Sequence, residues 1–248
     1  MKSYGEFCAL SRALDVVGDR WTILVVRELL IAPSRYTDLH KALPGIATNL
    51  LAQRLRTLEE AGVITSEEQP APVSAQVYML TDWGRGLHTV LVDLARWGVP
   101  LLAPGIGDDH SQGRWLVFAI MALFPERADY PSLTVRIIAD GDELLLTAGA
   151  GGVQTTLTSP GGPADITIEG RSDDVFRTLS GELTDKPTAP VSGDDAALQR
   201  FSQLISLAYT HDLDVAALGP RTLTASASPG HTPAPVPRQP PRTTQRRG

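Results

Sequence analysis

The feature that most constrains this chain lies at residues 35–61. A short helical pattern runs from about Arg35 to Ala42 and is stopped by Leu43-Pro44-Gly45; a second runs from about Ala47 to Ala61 and ends at Gly62. Proline cannot continue a helix and glycine accepts the backbone angles of a tight turn, so the two helices must meet at a sharp corner. In the second helix Ala47, Leu51, Leu55 and Leu58 recur at helical spacing and form a core-facing stripe. The opposite stripe is Asn49, Gln53, Arg56 and Glu60, with Thr48 and Ala52 beside it. A polar stripe is ordinarily just a solvated face. Here it follows a tight corner, the arrangement by which a helix carries base-reading groups into a major groove. Asn and Gln pair bidentately with adenine, and Arg with guanine, so the residue types suit direct readout.

The flanking segments supply a scaffold. Helical patterns over Cys8–Val17 and Asp19–Ile31 are separated at Gly18, with Asp19 placed to cap the second. Trp21, Ile23, Leu24, Val26, Leu29 and Leu30 give that second helix a broad apolar face. After Gly62, two β-leaning runs, Val63–Glu68 and Ala75–Leu80, flank a proline-containing turn from Gln69 to Ser74, which predicts a hairpin, or wing. Thr81-Asp82 opens a last helix, Trp83–Trp97, whose Leu87, Val90, Leu91 and Leu94 suit either the core or a dimer partner.

This first segment resembles the HxlR-type winged-helix regulators, architectural relatives of the MarR type. The resemblance is carried by Cys8, Leu14-Asp15-Val16-Val17-Gly18-Asp19-Arg20-Trp21-Thr22, Arg27-Glu28-Leu29-Leu30, Tyr36-Thr37-Asp38-Leu39, Pro44-Gly45-Ile46, Leu51-Ala52-Gln53-Arg54-Leu55-Arg56, Leu58-Glu59-Glu60-Ala61-Gly62-Val63-Ile64 and Tyr78-Met79-Leu80-Thr81, over about residues 7–98. It implies a transcriptional regulator, expected to repress, that binds double-stranded DNA as a homodimer formed through its terminal helices, each recognition helix in one half of a palindromic operator. The DNA-contacting set it implies is Thr37, Thr48, Asn49, Gln53, Arg54 and Arg56. Cys8 matches the N-terminal cysteine that some family members use to sense oxidants or electrophiles; the alternative role is that of a small packing residue. Where the family shows basic residues in the wing, this chain has Glu67 and Glu68 and no Arg between Ile64 and Leu80. That departure removes the expected source of minor-groove contact and predicts weaker or more salt-sensitive binding. It also keeps open an alternative class, a lipid carrier or interaction module whose winged helix serves dimerisation.

A Pro-, Gly- and Asp-rich stretch, Pro100 to Gly113, marks a domain boundary, giving expected units at 1–103 and 113–214. Residues 219–248, with almost no large apolar side chains and five arginines, are expected to form a disordered tail. Within the second unit Trp115–Phe124 reads as a buried helix. Four β-leaning runs follow, Leu133–Ala139, Glu143–Ala148, Gln154–Thr158 and Asp165–Glu169, then helices around Asp173–Ser180 and Asp194–Tyr209. The expected assembly is a mostly antiparallel meander with helices on one side, an α+β domain after a winged helix.

This unit resembles the sterol-carrier-protein-type lipid-binding fold over about residues 113–208. The matching residues are Ala164-Asp165-Ile166-Thr167-Ile168-Glu169-Gly170, Asp173-Asp174-Val175-Phe176, Leu179-Ser180-Gly181, Val191-Ser192-Gly193-Asp194 and Leu198-Gln199-Arg200-Phe201. The resemblance implies an apolar tunnel between sheet and helices that takes a hydrophobic small-molecule effector. Phe118, Met121, Phe124, Leu146, Phe176, Leu179, Phe201 and Ile205 are the candidate lining residues, each chemically indistinguishable from ordinary core.

The net charge of −6 is unevenly placed: residues 1–104 hold 10 Lys/Arg and 11 Asp/Glu, residues 105–218 hold 7 and 17, and residues 219–248 hold 5 and none. The acidity therefore sits in the second unit, and the first is close to neutral, as a small DNA reader with one basic face can be. None of G-x-x-x-x-G-K-[ST], H-E-x-x-H, G-x-S-x-G or a G-x-G-x-x-G between strand and helix occurs, so neither catalytic residues nor a cofactor are expected. Histidines 40, 88, 110, 211 and 231 are scattered, and Asp108-Asp109-His110 on a linker is expected to be solvated, so no metal site is expected. With one cysteine, no span of roughly 18 apolar residues and no leader-like N-terminus, a cytoplasmic protein without a membrane partner is expected.

Overall fold

The computed structural model describes residues 3–69, 75–102, 106–157, 161–181 and 188–208, so the expected tail lies outside the described residues. Helix α1 (Ala9–Val17) begins after extended Cys8 and stops at Gly18. Helix α2 (Thr22–Ile31) starts later than its apolar pattern suggests, because Trp21 adopts a left-handed backbone with φ 78° and takes the position before the first turn. Such a conformation costs ~1–3 kcal/mol outside glycine and persists only where packing demands it. The Trp21 ring supplies that packing, lying 3.7 Å from the place a Cβ on Gly45 would occupy. Asp19 does not cap α2 as expected; its carboxylate pairs with Arg54 at 2.6 Å.

A two-residue strand β1 (Ser34–Arg35) precedes α3 (Tyr36–Ala42). The corner follows, with Gly45 at φ 92° and with Leu43 and Ile46 buried beneath it. Helix α4 (Thr48–Glu60) buries Leu51, Leu55 and Leu58, whereas Ala47, expected on the same stripe, is the extended cap residue and is exposed. The helix ends in a Schellman motif: Gly62, φ 73°, donates its N–H to Glu59 O and Val63 donates to Leu58 O, both at 2.9 Å. Strands β2 (Ile64–Glu68) and β3 (Gln76–Leu80) form the antiparallel wing, in register from Ile64↔Leu80 to Glu68↔Gln76. Strand β1 adds to the other side of β3 through Ser34↔Tyr78 and Arg35↔Val77, giving the order β1-β3-β2.

The expected single helix over 83–97 is two pieces, α5 (Asp82–Arg85), capped by the Thr81 hydroxyl, and α6 (Leu87–Gly98), broken at Gly86. The first piece is pinned where Gly84 backs onto Val63: a Cβ there would fall 2.0 Å from the Val63 carbonyl oxygen.

In the second half α7 (Leu116–Leu123) is buried on nearly every side. Strands β4 (Leu133–Ala139) and β5 (Asp142–Gly149) join through Asp140-Gly141, both at positive φ, which matches the twist of a two-residue hairpin. Strand β6 (Gly152–Leu157) pairs antiparallel with β5. Strand β7 (Ile166–Gly170) departs from the expected meander: it crosses to the free side of β4 and runs parallel to it. Asp165 anchors the crossing, its N–H donating to Thr134 O at 2.9 Å and its carboxylate accepting from Thr134 N–H at 2.8 Å. Helix α8 (Ser172–Ser180) follows, then β8 (Val191–Gly193), which the sequence pattern missed, and α9 (Asp195–Ser206). The sheet order is β6-β5-β4-β7-β8, with α8 and α9 packed on its centre. Among the described residues no helix is long and apolar enough to cross a membrane.

The two halves are joined by polar as well as apolar contacts. Helix α6 packs along α7. Glu28, in the middle of α2 and 0% exposed, accepts from Arg27 Nη2 and from the Trp115 indole N–H, both at 2.8 Å. Its other oxygen sits 3.3 Å from Arg114 Nε, an ion contact without hydrogen-bond geometry. The Arg27 guanidinium lies 4.2 Å over the Trp115 ring. Gln112 Nε2 donates to Ala42 O and Arg96 Nε to Ala122 O, at 3.2 and 3.3 Å.

Candidate nucleic-acid interface

Helix α4 is held in place from both ends of its first half. Tyr36 at the start of α3 donates its hydroxyl to Thr48 O at 2.6 Å, tying the two helices across the corner. Arg54 reaches from the second turn to Asp19 and to Arg20 O, at 2.6 and 3.3 Å, and its side chain is only 13% exposed. Between these ties Thr48, Asn49 and Gln53 are exposed, Arg56 is exposed one turn further on, and Thr37 is exposed on α3. Five of the six residues in the implied DNA-contacting set therefore face solvent. Arg54 stands apart, its charge committed to Asp19, and in this geometry it orients the helix.

The electrostatics of this face are uneven along α4. Its acidic residues, Glu59 and Glu60, stand at the far end, and the first turn carries none. A helix N-terminus carries about half a positive charge, so this end favours phosphate. Arg20, Arg35 and Lys41 are exposed on the segments that adjoin α3 and α4, and Arg20 is placed beside α4 by the Arg54 contact. The helical period could not single them out, because they lie in a loop, a two-residue strand and a shorter helix. In the wing, Glu67 and Glu68 are exposed, and Ser66 is tied back to α4 by donating to Glu59 at 2.6 Å. The wing tip, 70–74, lies outside the described residues.

Cys8 is exposed at the N-terminus of α1. Its sulfur makes no capping bond, yet the backbone N–H groups of Ser11 and Leu10 face it and hold its thiol below the ordinary cysteine range. Among the described residues no group of three or more His, Cys, Asp and Glu side chains could hold a metal ion.

The eight residues expected to line a tunnel all belong to, or pack against, one hydrophobic core. Phe124, Leu146, Leu179 and Phe201 are buried core, and Met121 and Ile205 are half-buried against it. Phe118, also buried core, and Phe176, half-buried against it, line in addition a cleft of about 500 Å³ that opens between the two halves of the chain, walled by α2 and α6 on one side and α7 and α8 on the other. Sequence periodicity had no means of finding this cleft, since its walls come from four helices spread along the chain from Ile23 to Ser180.

With this geometry in place, the comparisons with known proteins agree on the first half. Residues 16–104 match the family model described as HxlR-like helix-turn-helix. An uncharacterized HTH-type transcriptional regulator, YvaP of Bacillus subtilis (strain 168), is 31% identical over 104 residues, 42% of this chain and 96% of that protein. A second, sll1512 of Synechocystis, is 36% identical over 94 residues, 38% of this chain and 70% of that protein. Among solved structures, the reduced form of the transcriptional regulator YodB from B. subtilis is 27% identical and covers 40% of this chain and 99% of that one, with a TM-score of 0.36. The first half is thus that of a DNA-binding helix-turn-helix transcriptional regulator, and the chain belongs to the HxlR-like helix-turn-helix family.

Proposed function

We propose that the protein is a dimeric repressor that reads a palindromic operator through α4, and that its second half, a sterol-carrier-like domain, binds a hydrophobic effector that alters the dimer. The observation that carries the first part is the stripe Thr48, Asn49, Gln53 and Arg56, exposed on a helix whose own orientation is held by Tyr36 and Arg54. A dimer through the terminal helices is supported by apolar side chains that are exposed among the described residues: Phe7, Leu10 and Leu14 at and just before α1, and Val90 and Trp97 on α6. Linkage sets the terms for the effector: it shifts operator affinity only by its differential affinity for the two dimer geometries. Cys8 is the redox-sensor candidate of this reading, and the units 1–103 and 113–214 are its domains.

The test is filter binding on the DNA upstream of the protein's own gene, with salt and competitor varied. The wild type is expected to form a specific, salt-sensitive complex. Asn49→Ala and Arg56→Ala should each weaken it by ~1–3 kcal/mol, the worth of one bidentate base contact. Unchanged operator affinity in both variants would sink the recognition-helix assignment. A protein with no preference over competitor, consistent with the acidic wing, would instead be a carrier or interaction module.

A further inference from the structure

The cleft between the halves differs in kind from a packing defect. At about 500 Å³ it lies within the range of ~300–1,000 Å³ typical of small-molecule sites. Its walls are mostly apolar, with Leu24 on α2, Leu94 on α6, Leu102 just after α6, Phe118 on α7 and Phe176 on α8 among them. Set into these walls are two guanidiniums, Arg27 and Arg177.

The charges around the cleft do not cancel. Arg27 and Arg114 share one carboxylate, Glu28, so that cluster keeps a positive charge. Arg27 is also strongly desolvated, and burial together with Arg114 pulls its pKa down against the opposing pull of Glu28. Asp173, on the α8 wall, is matched by Arg171 at 3.2 Å. Arg177, one turn along α8, is half-buried, and among the described residues its guanidinium has no ion-pair partner. The remaining acid at the cleft, Asp109, is exposed on the linker beside His110. A partly desolvated guanidinium without a carboxylate is costly unless an anion reaches it.

We propose that this cleft binds an apolar molecule carrying one anionic head group, with the apolar body against Leu94, Phe118 and Phe176 and the head at Arg177 and Arg27. The assignment rests on the effector reading above and deepens it. Both walls are needed, one from the DNA-reading half and one from the second half, so occupancy is felt directly by α2, whose Glu28 ties the halves together.

The test is calorimetric titration of the full-length protein with decanoate below its micellar concentration, with decanol and decylamine as the neutral and cationic counterparts. Decanoate is expected to bind saturably at one site per chain, at least tenfold more tightly than decanol, with decylamine weakest. Arg177→Gln should weaken decanoate about tenfold, the value of one charge-assisted hydrogen bond, and leave decanol unchanged. Filling the cleft with Ala119→Trp should abolish both. Leu102→Trp, at an exposed position, does the same job should the first variant fail to fold. No saturable binding, equal affinity for decanoate and decanol, or affinity untouched by the filling variants overturns the proposal. So does loss of the dimer in the filling variants when decanoate does not bind the wild type, which makes a second copy of this chain the occupant. The ligand-free protein's shift of operator DNA is measured alongside: a retained shift with no decanoate binding removes the cleft assignment and leaves the regulator, whereas decanoate binding without a shift does the reverse.

Discussion

At the scale of single residues the chain shows how the same side chain type takes opposite roles by position. Arg54 and Arg56 are two residues apart on α4, yet Arg54 is folded back onto Asp19 while Arg56 faces solvent. A helix turns 100° per residue, so two positions along point to different neighbours, and only the packed structure says which neighbour is a carboxylate. Cys8 is a second case. Its thiol is held low by the backbone N–H groups of Ser11 and Leu10, so the thiolate is populated at lower pH than in a free cysteine. Alkylation of Cys8 by iodoacetamide should therefore rise with pH through a midpoint lower in the folded protein than in the same protein unfolded in urea, as followed by mass spectrometry. A folded-state midpoint at or above the unfolded one would remove the chemical basis for sensing at this position.

At the scale of elements, the α3–corner–α4 unit was legible in advance because each local signal agrees: proline and glycine at the corner, a leucine stripe for the core, glycine at the end of α4. The wing strands were legible for the same reason. The two-residue β1 and three-residue β8 were not, since elements so short show no period. Helix α6 exposes Val90 and Trp97 away from the cleft, with Trp97 69% accessible. Exposed apolar side chains of this kind are what the proposed dimer would bury. Trp97→Glu is accordingly expected to convert the dimer to a monomer in sedimentation experiments. Operator affinity should fall at least about tenfold with it, because one half-site alone provides the contacts. A wild-type protein that sediments as a monomer would sink this prediction together with the dimeric reading.

At the scale of the whole molecule, the two halves meet around a fully buried carboxylate. Glu28 lies on a DNA-domain helix, but its partners Arg114 and Trp115 come from the second half. Removing one member of a buried ionic cluster leaves the others uncompensated, at a cost of ~3 kcal/mol. Wild-type protein should unfold in a single calorimetric transition; Glu28→Gln should lower its midpoint and split it into two as the halves uncouple. An unchanged midpoint would mean that the apolar α6–α7 contact holds the halves together alone.

The sequence by itself determined the elements whose signals are local: the corner, the leucine stripe of α4, the wing strands, the apolar α7 and the strands β4 to β6, because short-range sterics and periodic burial are written in neighbouring residues. It also determined the exposure of Asn49, Gln53 and Arg56, which follows from their standing opposite that stripe. Only the tertiary structure decided the parallel pairing of β7 with β4, the capture of Asp19 and Arg54 by each other, the clustering of Glu28 with Arg114 and Trp115, and the cleft between the halves. Each of these depends on which distant residues come into contact. Alternating hydrophobicity records that a face is buried but not against what, and a charge in a sequence does not name its partner.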